Sequence, residues 1–116
     1  KMRASLDKSG GGRFDLKQGQ GGIADIEFMV QYSILRWASH YPELADWSDN
    51  IRLLESLGWL DLLPGRAATD LTAAYKALRA AYHRSALQDE PTTVAAGVLL
   101  DSRERVAALW RVLMED

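Results

Sequence analysis

The sequence predicts an all-α fold, a bundle of four to five helices preceded by one short extended segment. Three observations point to it. Apolar residues recur at helical spacing in separate stretches along the chain. Proline and glycine punctuate the joins, at Tyr41-Pro42, Pro64-Gly65 and Glu90-Pro91. Only Phe14 to Lys17 alternates apolar and polar residues as a strand does.

Residues 1–13 end in Ser9-Gly10-Gly11-Gly12-Arg13, a flexible, turn-rich join. Lys1-Met2-Arg3 reads as the end of a helix cut from something longer, so the chain is expected to be a fragment. Residues 1–22 are read as a linking, extended segment and 23–116 as the helical domain. A single strand cannot form a sheet alone, which places the expected partners of Phe14 to Lys17 outside this chain.

The first helix is predicted from Ile23 to His40. Ile23, Ile26, Val30, Ile34 and Trp37 repeat on one face, and Phe28, Met29, Tyr32 and Leu35 widen the apolar surface nearly all round. Such a helix is expected to be central and buried. It should stop at Tyr41-Pro42, because proline disfavours helix in the residue before it.

The second helix begins after Trp47, with Ser48 as the expected N-cap; it buries Ile51, Leu54 and Leu57, and Gly58 is placed to end it. An apolar connector, Trp59 to Leu63, runs to Pro64-Gly65. The third helix, about Arg66 to Gln88, aligns Leu71, Tyr75, Leu78, Tyr82 and Ser85, while Ala73, Ala74, Ala77, Ala80 and Ala81 permit close packing. Asp101 or Ser102 should cap a last helix carrying Val106, Leu109, Trp110 and Leu113. The tryptophans, at 37, 47, 59 and 110, are expected in the core rather than as a base-stacking platform.

Composition narrows the function classes. With 116 residues, 47% hydrophobic, one domain can bury a real core. A formal net charge of −2 gives no global attraction to nucleic acid or anionic membrane. The absence of cysteine removes disulfides and zinc–thiolate sites and suits a cytoplasmic protein. No apolar run reaches the roughly 20 residues of a membrane span, and no secretory signal opens the chain. His40 and His83 have no metal-ligand spacing, and no metal site is expected.

The chemistry concentrates between Lys17 and Gln31. Gly19, Gly21 and Gly22 lack the spacing of the dinucleotide fingerprint and no Lys-Ser/Thr follows, so neither nucleotide motif is present. They form either a tight strand-to-helix turn or a backbone contact for a phosphate or nucleotide. Lys17 places an ammonium beside them. Asp25 and Glu27 occupy the next helical turn, where carboxylates are favourable, and point about 200° apart, so they cannot readily chelate one metal. Glu27 shares a face with Gln31 and lies between Ile26 and Phe28, so it needs a partner, with Arg52 the candidate, unless it reaches a neighbouring active site. Ser48, Asp49, Asn50 and Arg52 are read as a helix start with an internal ion pair; Ser48 has no histidine nearby to serve as its base. No catalytic residue set is complete.

Phe14-Asp15-Leu16-Lys17-Gln18-Gly19-Gln20-Gly21-Gly22-Ile23-Ala24-Asp25-Ile26-Glu27-Phe28-Met29-Val30-Gln31 resembles the strand–glycine turn–helix signature of glutamine synthetase adenylyltransferases. Trp47-Ser48-Asp49-Asn50-Ile51-Arg52-Leu53-Leu54-Glu55 is similar to a second motif of that family, and Lys1-Met2-Arg3 fits its lead-in. A looser form of the glycine pattern also occurs in PII uridylyltransferases, but Asp25-Ile26-Glu27-Phe28 and the second motif favour the adenylyltransferases. The resemblance implies the last helical domain of an enzyme whose C-terminal half transfers AMP from ATP, with Mg2+, to a tyrosine of glutamine synthetase. The other half removes it, and PII protein and glutamine set the balance.

The Gly-Ser and Asp-x-Asp signature of the transferase domain is missing, so the fragment itself should be inactive and hold no cofactor. The family likeness further suggests that the strand completes the sheet of the preceding nucleotidyltransferase domain. Lys17, Gly19, Gly21, Gly22, Asp25 and Glu27 would then lie near the nucleotide. The competing expectation is a regulatory module that docks PII, glutamine or glutamine synthetase without touching nucleotide.

Overall fold

A computed structural model describes residues 7–115; Lys1-Met2-Arg3, expected to end a helix, lies outside them. The element order is β1 (Arg13–Asp15), α1 (Ile23–Trp37), a short 3₁₀ helix (Pro42–Asp46), α2 (Asn50–Trp59), α3 (Ala67–Leu87), β2 (Thr93–Ala95) and α4 (Leu100–Met114). The expected helical bundle is therefore present, with four α-helices among the described residues.

The strand expectation needs correcting. β1 finds its partner inside the chain, pairing antiparallel with β2 in the register Arg13–Ala95, Phe14–Val94, Asp15–Thr93. Leu16 N–H to the Thr92 carbonyl (3.1 Å) and Ala96 N–H to the Gly12 carbonyl (2.9 Å) extend the pairing at both ends. β2 follows Pro91 and holds only three residues, too few for alternation to be read from the sequence. Phe14 and Leu16 are buried in the same core as the helices; sinking the Leu16 side chain stabilises the fold by about 2 kcal/mol.

α1 packs against the 3₁₀ helix and each of the other α-helices. Ile23, Ile26, Met29 and Val30 supply its share of the core, facing Leu53, Leu54 and Leu57 of α2, Leu71, Ala74, Tyr75 and Leu78 of α3, and Val106 of α4. It is central, as expected, but not enclosed. Phe28, Tyr32 and Leu35 form an exposed stripe, because the bundle supplies too few helices to surround it. The helix also ends at Trp37, short of His40, and Pro42 opens the 3₁₀ helix instead.

Caps and tryptophans differ from expectation in smaller ways. Asp49, not Ser48, caps α2, its Oδ1 accepting the Ile51 N–H at 3.1 Å. The helix simply starts one residue later than Ser48 capping requires. α2 runs through Gly58 to Trp59. α4 has no side-chain cap from Asp101 or Ser102; Leu99 precedes it in the left-handed region, at φ 56°. Trp37 and Trp110 pack against the core. Trp47 and Trp59 are exposed, because Trp47 sits in the link before α2 and Trp59 points away from the Leu53–Leu57 face.

Candidate functional site

The turn between β1 and α1 is built around Asp15. Its side chain is only 3% exposed. One carboxylate oxygen accepts the Lys8 N–H at 2.9 Å, and the other accepts the N–H groups of Lys17 and Gln18, both at 3.0 Å. The Ser9 hydroxyl bonds the Asp15 amide at 2.8 Å. An aspartate that folds back on the amides two and three residues ahead fixes a turn locally, which is why the chain reverses at Leu16-Lys17-Gln18.

The glycines continue that turn by close backbone approach. Gly19 N–H bonds the Asp15 carbonyl (2.9 Å), Gly22 N–H the Gly19 carbonyl (2.9 Å), and Gly21 N–H the Asp25 carboxylate (2.8 Å). All three glycine amides are thus satisfied within the turn. Gly21 also sits at φ +80°, where a Cβ would be driven into the backbone of Arg103 at the start of α4. A Cβ on Gly22 would lie 2.7 Å from the Leu16 carbonyl oxygen, and one on Gly19 would meet the Phe14 ring and the Asp15 carbonyl. The tight-turn alternative describes this geometry.

Asp25 and Glu27 part company as their spacing requires. Asp25, buried in the first turn of α1, reaches back to Gly21. Glu27 is half-buried, and its partner is not Arg52. The Tyr75 hydroxyl donates to Glu27 Oε2 at 2.9 Å and accepts from Asn50 Nδ2 at 3.3 Å, joining α1, α2 and α3. Burial, reinforced by the Glu27 carboxylate, holds the Tyr75 phenol above its ordinary value of 10.0; Asn50 and Arg79 oppose the shift. Arg52 instead lays its guanidinium over Trp47, 4.7 Å from the ring centroid. Gln31 and Ser48 are exposed. His83 is exposed beside Tyr82, and no group of three or more His, Asp and Glu side chains among the described residues could hold a metal ion.

Two contributors escaped the sequence reading. Asp15 carried a local signal, a turn-forming residue two positions before Lys17 in a glycine-rich stretch. Arg103 carried none. Its guanidinium lies 3.5 Å from the Phe14 ring centroid and donates to the carbonyls of Ala96 and Val98, tying α4 and the β2 exit to β1. Burial lowers its pKa, and Glu104 opposes that effect.

What the turn presents outward is the exposed Lys17, with Gln20 beside it. Gln20 also lines a hollow of about 280 Å³ together with Asp25, Ala107, Trp110 and Glu115.

A strand closed by an aspartate-anchored glycine turn onto the central helix of a bundle defines a small, mostly helical domain. The family model described as GlnD PII-uridylyltransferase matches residues 3–112, and the chain belongs to that family. It is similar to proteins named bifunctional glutamine synthetase adenylyltransferase/adenylyl-removing enzyme: 49% identical to that of Nitrosococcus oceani over the whole chain, and 50% identical to that of Hahella chejuensis over 95% of it. The relative from Pseudomonas putida is 47% identical over 84% of the chain. The resemblance carried by the two sequence motifs is met by these relatives. The chain spans about 12% of the length of the first two.

Proposed function

We propose that this chain is the helical domain standing behind the adenylylating centre of a glutamine synthetase adenylyltransferase. Its own part is to hold Lys17 at the rim of the nucleotide site. ATP and Mg2+ are bound by the preceding nucleotidyltransferase domain, and the fragment alone is inactive. No helix of the described residues is long and apolar enough to cross a membrane.

One observation carries the reading. The glycine turn is closed on itself by internal hydrogen bonds, yet leaves one ammonium exposed at its edge. A preorganised cation set beside a triphosphate stabilises charge that develops as the α-phosphoryl group is transferred. In the full-length enzyme, Lys17→Ala should lower AMP incorporation into glutamine synthetase by roughly tenfold or more, with unchanged thermal unfolding. Full transfer by a folded Lys17→Ala enzyme removes the proposal.

A second reading is a module that docks PII, glutamine or glutamine synthetase without contacting nucleotide. It is favoured by Trp59, 90% exposed beside a hollow of about 720 Å³ between α2 and α3. Trp59→Ala would then weaken binding of one of those partners while transfer at saturating glutamine synthetase stays intact.

A further inference from the structure

Residues 42–63 carry five acids, Glu43, Asp46, Asp49, Glu55 and Asp61, against one base, Arg52, in a chain whose formal net charge is only −2. Asp49 caps α2. Glu43, Asp46 and Glu55 are exposed around a hollow of about 480 Å³ between the 3₁₀ helix and α2. None of the three is in an ion pair among the described residues. Trp47 and Trp59 line the same hollow and are 45% and 90% exposed. Arg52 lies over Trp47, but no cation of the described residues covers Trp59. A bare indole face beside uncompensated carboxylates is the chemistry that recognises a guanidinium or an ammonium. Arg52 on Trp47 is its internal example.

Glu55 and Trp59 also line the hollow between α2 and α3, so the two hollows meet there as one groove. The second hollow differs in character. Ala68 and Ala73 give it an apolar lining, and Lys76 stands at its edge.

We infer that this groove docks an extended segment of a partner protein bearing an arginine or lysine close to an apolar residue. The cation sets against Trp59 among Glu43, Asp46 and Glu55, and the apolar residue enters the hollow beyond. Charge complementarity chooses that occupant. A second copy of this chain brings the same negative balance, and a lone small cation leaves the apolar hollow unfilled. The inference rests on the docking reading given above and deepens it by naming the partner's chemistry; where Lys17 lies does not enter.

The test is calorimetric titration of the full-length protein with a blocked peptide that carries one arginine and, two residues on, a leucine. The control is the same peptide with citrulline, which keeps the shape and loses the charge. The arginine peptide should bind at least about fivefold tighter, with the difference shrinking at high salt. Glu55→Gln and Trp59→Leu should each erase most of that preference; both positions are exposed, so neither change threatens the fold. Equal binding of the two peptides overturns the inference, as does a preference that survives both substitutions. So does the absence of binding, which assigns the groove to a second copy or to another part of the same protein. Peptide binding is read directly. If Trp59→Ala leaves PII, glutamine and glutamine synthetase binding unchanged, those three partners are removed and a positive result here still stands. If it weakens one of them while the peptides bind alike, the docking reading survives and the cationic partner falls.

Discussion

Tyr75 and Glu27 lie 48 residues apart in sequence, and the phenol of one donates to the carboxylate of the other at 2.9 Å. With Asn50 donating to the same phenol, one side chain from each of three helices meets at a single hydroxyl. Tyr75→Phe leaves the ring in place, strips Glu27 of its donor and leaves the Asn50 amide without its acceptor. The expected loss is about 1–3 kcal/mol in urea unfolding. The phenol's pKa is raised on folding, so its contribution is fully present below the unfolded value near 10 and is lost as pH rises through the folded one. The gap between wild type and Tyr75→Phe should narrow above about pH 10; a constant gap would show that the hydroxyl is not the titrating group.

Asp15 accepts three backbone N–H groups. Asp15→Asn keeps the shape but turns one of the two acceptor atoms into a donor, so at least one amide must lose its partner. The variant should be about 1–3 kcal/mol less stable, with faster hydrogen exchange at Lys8, because the retained oxygen can keep both Lys17 and Gln18. Unaltered exchange at the Lys8 amide would mean that the turn holds its shape without the second carboxylate oxygen.

Gly21→Ala meets two obstacles, the left-handed φ of +80° and the Arg103 backbone. Together they should cost about 2–4 kcal/mol. Gly97→Ala has open space and no such φ, and should stay within about 0.5 kcal/mol of wild type. Equal melting temperatures for the two variants would be incompatible with this packing. A Gly21→Val enzyme is for the same reason a poor probe of nucleotide contact, since loss of the turn would abolish transfer either way.

Arg103→Lys retains the charge but cannot both cover the Phe14 ring and reach two carbonyls, which a planar guanidinium does. Exchange should accelerate at the Leu16 and Ala96 amides, which bond across to Thr92 and Gly12, while far-UV circular dichroism stays unchanged. Protection equal to wild type would show that the strands hold without it.

The helices were legible because their signal is local. The apolar repeat placed α1 at Ile23 and α3 within one residue at each end. The opposite directions of Asp25 and Glu27 followed from helical geometry alone. The partner of Glu27 did not, because a hydrogen bond to Tyr75 depends on how helices far apart in sequence pack. β2 was hidden by its length, and with it the internal partner of β1. Trp47 and Trp59 misled for a related reason: a large apolar ring reads as core wherever it falls, and only the finished bundle shows which faces run out of neighbours. In the turn, Gly19, Gly21 and Gly22 were visible as glycines, but the backbone that presses on Gly21 belongs to Arg103, which no local pattern marks.

The β1–β2 ladder also sets an order of assembly. It joins positions about 80 residues apart, as in the bond from the Arg13 guanidinium to the Thr93 carbonyl. Helices form from near neighbours and early, whereas closing so long a loop comes late. The segment bearing Lys17 is therefore made before Thr92 to Arg103 yet takes its shape only once they arrive. A chain halted after Gln88 should be helical yet leave the Leu16 amide unprotected. A polypeptide assembled in this way keeps its exposed lysine out of register until the last helix has docked.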